Sequence, residues 1–366
     1  MKELEREILI IGAGPAGISA AIEAAKAGAK VTVADEHDTI GGQLYKQIHK
    51  FFGAADNHAG MRGFEIARKL EQEAKEIGVE FWLNTVAYGI FKEGVGIVRD
   101  GDNFIVKAKK VIVAAGGIEN TTAFPGSTLP GVMLAGAAQT MANIHRVLPG
   151  KRLVVVGSGN VGLIVAYQML QAGAEVLAVV ERDDHIGGYG VHAEKIRTAG
   201  VPILTDTVIK CASGKTSVEG VTTVKLGADG AEIAGSEQEF NADTVIMAVG
   251  MAPLTELLWN IGCRFEFIGE LGGYVPVHNE FMQTSVDGIY AAGDITGVEE
   301  ASVAMEEGCI AGIAAASACG HISAEECSAR CASHIDALAV LESGEYDGER
   351  SAARAKKLEL YKASEK

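Results

Sequence analysis

Two glycine-rich turns, each framed by apolar strands and an alanine-rich helical stretch, constrain this chain more than any other feature. The first runs Ile8-Leu9-Ile10-Ile11-Gly12-Ala13-Gly14-Pro15-Ala16-Gly17 and reaches Val31-Thr32-Val33-Ala34-Asp35-Glu36. The second runs Leu153-Val154-Val155-Val156-Gly157-Ser158-Gly159-Asn160-Val161-Gly162 and reaches Val176-Leu177-Ala178-Val179-Val180-Glu181. A buried strand, a G-x-G-x-x-G turn, a helix and a second strand ending in an acid form the context in which such a turn holds a dinucleotide. Gly12 and Gly157 permit the turn, Gly14 and Gly159 admit the pyrophosphate to the backbone, and Gly17 and Gly162 let helix approach strand. Pro15 and Ala16, like Asn160 and Val161, begin the helix whose positive end faces the phosphates. Two such units on one chain imply two dinucleotides meeting, and therefore a redox enzyme.

At 366 residues the chain is long enough for two domains with buried cores. Its net charge of −16 argues against nucleic acid and anionic lipid, which need clustered Lys and Arg. Met1 to Glu7 is charged and carries no signal-like run, and Ile310 to Cys319 is too short to span a bilayer, so a cytoplasmic protein without membrane insertion is expected.

The order of elements is duplicated. Residues 7–40 and 152–181 read as βαβ units. Short strands at Val79–Leu83, Thr85–Phe91, Gly96–Arg99 and Phe104–Ala108 lead into Lys110-Val111-Ile112-Val113-Ala114-Ala115-Gly116-Gly117. Residues 131–148 read as a helix. A second set of short strands closes with Thr244-Val245-Ile246-Met247-Ala248-Val249-Gly250, after which Gly288-Ile289-Tyr290-Ala291-Ala292-Gly293-Asp294 returns as a strand before a small-residue helix, Ala301–Ala318. The expected fold class is α/β: two Rossmann-like three-layer ββα dinucleotide-binding domains, the second inserted in the first, each with an antiparallel β-meander. The expected boundaries are 1–125 and 271–320 for the first domain, 126–270 for the second, and 321–366 for a C-terminal helical tail.

The later segments point to FAD in the first cradle. Asp35, with Glu36 beside it, is placed to accept hydrogen bonds from ribose hydroxyls. Asp294, on a tight turn after Gly293, is placed to accept them from the ribityl hydroxyls of a flavin. Ala115 and Gly116 close the same pocket, Gly41-Gly42 is another loop of close approach, and Gln43 offers an amide to the flavin. A lone Gly-Asp is usually a plain turn; the specificity lies in the combination and its order. The second cradle is expected to hold NAD(H), with Gly250 closing it. Glu181 suits a free 2′-hydroxyl and repels a 2′-phosphate, although Arg182 beside it is the residue type that accepts one. A domain that keeps this fold yet binds another nucleotide, or none productively, is the competing reading.

The chain resembles two-dinucleotide-binding-domain flavoproteins and, within them, the α subunits of multimeric amino-acid and amine dehydrogenases: sarcosine oxidase, dye-linked proline dehydrogenase, octopine oxidase and hydrogen cyanide synthase. The residues that carry the resemblance are Asp35-Glu36 with Gly41-Gly42-Gln43-Leu44-Tyr45, Phe124-Pro125-Gly126-Ser127-Thr128-Leu129-Pro130-Gly131-Val132-Met133, Ala135-Gly136-Ala137-Ala138-Gln139-Thr140 and Glu280-Phe281-Met282-Gln283-Thr284-Ser285, over residues 7–318. It implies that Val86 meets the adenine of FAD through its backbone. It also implies a partner flavoprotein subunit that oxidises an amine or amino acid, a small iron–sulfur subunit, and FMN at a subunit interface.

No C-x-x-C or C-x4-C pair exists and no cysteine precedes Cys211, so a disulfide relay is not expected. Cys309, Cys319, Cys327 and Cys331 lack the C-x-C spacing of an iron–sulfur motif and read as ordinary thiols; no metal ligand is assigned. His49 is a loop residue near the expected flavin edge and more often solvated than functional. No acid–base constellation stands out, and the cofactors are expected to carry the chemistry, by hydride transfer between nicotinamide C4 and flavin N5 and onward passage to a partner-held centre. The function expected is a FAD-dependent, NAD(H)-linked electron-transfer subunit of an amino-acid dehydrogenase. The alternatives are a stand-alone NADH-dependent flavin reductase and a structural nucleotide-binding subunit.

Overall fold

In the computed structural model, which describes residues 2–51, 58–341 and 348–364, the apolar run before the first glycine turn is the end of a ten-residue strand, Lys2–Ile11. This strand lies inside a seven-stranded sheet ordered Glu80–Trp82, Val31–Ala34, Lys2–Ile11, Asp102–Val113, Gly94–Arg99, Thr85–Phe91, with Ile289–Ala291 also paired to Asp102–Val113. The first four and Ile289–Ala291 run parallel, while residues 85–106 form the antiparallel meander. Where the sequence predicts a strand at 104–108 leading into a separate apolar run at 110–117, one continuous strand, Asp102–Val113, forms. The charged stretch is held because Lys107 and Lys109 reach Glu3 (2.7 Å) and Glu7 (3.0 Å) on the neighbouring strand.

The helices Pro15–Lys26 and Ala301–Ala318 cover this sheet in direct backbone contact. A Cβ at Gly308 would sit 2.1 Å from the Ala16 carbonyl oxygen, and one at Gly312 would sit 2.1 Å from that of Ala20. The i, i+4 glycines on one helix meet the i, i+4 alanines on the other, which draws the two axes together. Ile8, Ile10, Ile18, Ile112, Ile310 and Ile313 fill the core around them.

The second glycine turn follows Arg152–Val156, in a five-stranded parallel sheet ordered Ile203–Leu204, Glu175–Val180, Arg152–Val156, Thr244–Met247, Val132–Leu134. A three-stranded antiparallel sheet, Thr207–Ser213, Gly220–Lys225 and Gln238–Phe240, accompanies it. The helix expected over 131–148 is shortened at both ends. Val132–Leu134 is a strand, and the helical part shrinks to Ala135–Gln139 with a π-turn at Thr140–Ile144. Ladder bonds to the open edge of Thr244–Met247 outweigh local helix propensity there.

The chain divides into two compact units: Met1–Ile118 with Ala252–Lys366, and Glu119–Met251. These limits precede the expected 125/126 and 270/271 for reasons visible in the packing. Phe124 and Leu129 pack against the core cluster of the inserted unit that holds Val154 and Val156, whereas Leu258, Ile261 and Phe265 already belong to the cluster of the first that holds Leu9 and Ile11. The tail forms two helices, Ala324–Leu341 and Gly348–Ser364. Among the described residues, no helix is long and apolar enough to cross a membrane.

Candidate functional site

In the first unit every residue expected around FAD clusters at the carboxyl ends of the parallel strands, apart from Val86, which follows the end of Glu80–Trp82. Gly12 has φ +104, and a Cβ there would lie 2.3 Å from the Ala114 carbonyl oxygen; a Cβ on Gly17 would lie 1.8 Å from that of Gly12. The turn is therefore closed by backbone on both sides. A Cβ on Gly14 would meet nothing within 4 Å, so the turn opens outward at the residue that caps Pro15–Lys26. No side chain caps that helix, and no acid occupies its first turn. Its free N–H groups and positive end face the opening.

The two neighbouring acids have separate tasks. Asp35 is buried; its Oδ2 accepts the Ala13 N–H (2.6 Å) and its Oδ1 the His37 N–H (2.8 Å). Glu36, one residue on, is exposed. The Asp35 carbonyl accepts the Thr85 N–H (2.8 Å), which sets Val86, half-exposed, beside the acid pair. Gly41 donates its N–H to Ala13 O (2.8 Å), and the Cβ position of Gly42 falls 2.8 Å from Gly14 Cα, so this loop lies against the cradle. Gln43 is exposed beside it, and Ala115 and Gly116 stand half-buried past the end of Asp102–Val113. Gly293 (φ +82) brings the 293–294 turn within 2.8 Å, Cβ position to Cβ, of Ala16 in the cradle helix. His49 stacks on Phe51 (5.6 Å between rings).

The second unit repeats the contacts of the glycine turn with its acid and covering loop. Gly157 (φ +98) faces Ala248 O at 2.1 Å from its Cβ position, Gly162 faces Gly157 O at 2.1 Å, and the Cβ direction of Gly159 is open. Glu181 Oε2 accepts the Ser158 N–H and hydroxyl (both 2.7 Å), and Oε1 accepts the Asp183 N–H (3.1 Å). Gly188 donates to Ser158 O (2.9 Å) and Thr207 donates to Glu181 O (2.8 Å). Glu181 is thus the counterpart of Asp35, and Arg182, exposed, stands where Glu36 stands in the first unit. Val161 is exposed at the helix start, Asn160 Oδ1 accepts the Tyr189 N–H (2.8 Å), and Gly250 (φ +95) accepts the Asn120 N–H (2.9 Å) at the closing turn. Sequence reading misses Gly188 and Val208, the counterparts of Gly41 and Val86. The signal was available in the common contexts Leu83-Asn84-Thr85-Val86 and Thr205-Asp206-Thr207-Val208, where Asn84 and Asp206 both take φ near +50 (49 and 46).

The sequence also misses what lies behind Asp294. Glu307, buried in Ala301–Ala318, accepts the Gly293 N–H (2.8 Å) and the Thr296 hydroxyl (2.9 Å). Lys357 of the last helix is equally buried and donates to Thr296 O (2.5 Å), while Arg354 pairs with Glu299. Burial, with Glu307 and then Glu300 nearby, pushes the Asp294 carboxyl up to about 7. Burial also raises Glu307, against the opposing pull of Lys357. The charged tail therefore carries cations into an otherwise anionic loop.

A family described as pyridine nucleotide-disulphide oxidoreductase matches residues 6–308. The chain is similar to an opine oxidase subunit of Rhizobium meliloti, 30% identical over 345 residues, 88% of this chain and 65% of that protein. It thus spans just under two thirds of that relative. It is likewise similar to thioredoxin reductase of Bacillus subtilis, 30% identical over 301 residues, 79% of this chain and 86% of that one. Among solved structures, L-proline dehydrogenase from P. horikoshii aligns with a TM-score of 0.69 at 23% identity, over 92% of this chain and 59% of that chain, a likeness of fold.

Proposed function

Because the chain belongs to the pyridine nucleotide-disulphide oxidoreductase family, we propose that it is the FAD-containing, NAD(H)-linked electron-transfer subunit of an oxidase or dehydrogenase acting on an amino acid, opine or amine. The reading is supported by the two cradles, which share their contacts and are both open at the second glycine. It is supported further by the similarity to the opine oxidase subunit. The amine site then belongs to a partner flavoprotein subunit.

The residues fit FAD. Gly14 leaves room for the pyrophosphate against the N–H groups of Ala16 and Gly17, and the exposed Glu36 accepts from the ribose hydroxyls while Asp35 holds the turn. Val86 presents backbone to the adenine, and Gly41, Gly42 and Gln43 cover the cradle. Ala115, Gly116, Gly293 and Asp294 receive the ribityl and flavin end, where Asp294 holds its proton up to about neutral pH. FAD, when bound, would supply the electron-accepting ring. In the second unit, Gly157, Gly159, Asn160, Val161, Gly162 and Gly250 would hold NAD(H). The acids Glu181, Asp183 and Asp184 disfavour a 2′-phosphate, and Arg182, at the place of Glu36, is the one residue there that opposes them.

Anaerobic stopped-flow mixing with NADH and with NADPH tests the assignment. NADH is expected to bleach the flavin faster; equal rates overturn the nucleotide choice, and no bleaching by either overturns the NAD(H)-linked role. A stand-alone flavin reductase is the second reading, favoured by the 86% coverage of a thioredoxin reductase. Isolation of the native protein without an amine-oxidising partner would support it.

A further inference from the structure

Away from both cradles, a small cavity of about 160 Å³ opens in the first unit where the helices Pro15–Lys26, Gly63–Glu76 and Ala301–Ala318 come together. Glu306 and Cys309 line it from Ala301–Ala318, three residues apart and so on one helical face. His334 approaches the same point from Ala324–Leu341, with Nδ1 2.6 Å from Glu306 Oε2. One ligand atom from each of Glu306, Cys309 and His334 lies within 4.8 Å of the other two. The remaining ionisable groups at the cavity are Glu23, Glu73, Lys26, Lys69 and His58. Lys26 pairs with both Glu23 (2.9 Å) and Glu73 (3.0 Å).

We propose that Glu306, Cys309 and His334 form a zinc site that joins Ala324–Leu341 to Ala301–Ala318. Zinc bonds of ~2.3 Å to sulfur and ~2.0–2.1 Å to nitrogen or oxygen, at tetrahedral angles, hold donors roughly 3.3–3.7 Å apart. The three groups are within a side-chain adjustment of that spacing. A thiolate, an imidazole and a carboxylate together select zinc over magnesium or calcium, which take oxygen donors. A water would complete the fourth position. Spacing along the chain hides the site, since Cys309 and His334 meet only because the two helices pack.

The test uses the whole 366-residue chain loaded with FAD, exposed to Zn²⁺, dialysed against zinc-free buffer and analysed for metal, with affinity measured against a chromogenic chelator. One zinc per chain is expected to remain, and to raise the melting midpoint. Cys309→Ser and His334→Gln should weaken binding at least ~10-fold and abolish that rise, while Cys211→Ser leaves both unchanged. Co²⁺ should give ligand-field bands to the red of the flavin absorption, with thiolate character lost in Cys309→Ser. Flavin content and circular dichroism report whether each variant is folded, and Glu306→Gln replaces any that is not. Zinc retention in the wild type no greater than in the folded variants overturns the site and leaves a glutamate–histidine pair beside a bystander thiol. So does a Co²⁺ spectrum without thiolate character.

Discussion

At the scale of single residues, glycines that look alike in sequence have different physical duties. A side chain at Gly17 would collide with Gly12 O at 1.8 Å, whereas one at Gly14 meets only open space. Gly17→Val should therefore destabilise the fold by about 3 kcal/mol or more. Gly14→Val should fold normally and purify without FAD; urea unfolding and flavin release separate the two outcomes, and full flavin occupancy in Gly14→Val would refute the cradle. The acids divide in the same way. Glu36→Gln is expected to weaken FAD binding ~10-fold with stability unchanged, because only the exposed carboxylate is free for the ribose. Asp35→Asn should lower stability as well, since it disturbs the bonds from Ala13 and His37. Asp294 gives a pH signature. Its folded value of about 7 lies above the ordinary 3.8, so the stability it contributes is complete below about pH 4 and lost as pH rises through 7. FAD-free protein should lose up to ~1.4 kcal/mol per pH unit from this group across that window. Asp294→Asn should flatten the profile, and an unchanged slope between about pH 5 and about pH 8 would show that another group carries it.

At the scale of elements, the contact between Pro15–Lys26 and Ala301–Ala318 positions the candidate flavin site. Gly308 and Gly312 let these helices touch, and Gly293 then presses on Ala16 beside the cradle. Gly312→Val, remote from any expected cofactor atom, should lower the melting midpoint by several degrees and weaken FAD retention, because the helix that holds Glu307 and the 293–294 turn must move outward. Normal FAD affinity in a destabilised Gly312→Val would mean that the turn is fixed independently of the helix. The small-residue helix itself was legible in the sequence, with the same limits. Its glycine-on-alanine contact was not, because nothing local says which helix lies opposite. The same holds for the last helix, whose charged composition hides that Lys357 is buried against Thr296.

At the scale of the whole molecule, the proposed reading gives this chain two dinucleotide sites and leaves the amine site to a partner, so the lone chain should pass electrons from NADH to a dye yet fail to oxidise sarcosine, proline or an opine. Dye-coupled assays on the isolated chain and on its native complex check this; amino-acid turnover by the lone chain at the rate of the complex would place the amine site here. The sequence by itself determined the two βαβ units, their glycine turns and terminal acids, and the α/β class, because strand periodicity and turn chemistry are local properties. It did not determine which acid of Asp35-Glu36 is engaged, that Val132–Leu134 leaves a helix to become an edge strand, or that Arg182 occupies the place of Glu36. Those depend on hydrogen bonds to neighbours far along the chain. Only the tertiary structure decided that Glu307 and Lys357 reach the turn that carries Asp294 and that Glu306, Cys309 and His334 share one point. Long-range packing of helices creates such clusters, and no spacing along the chain records it.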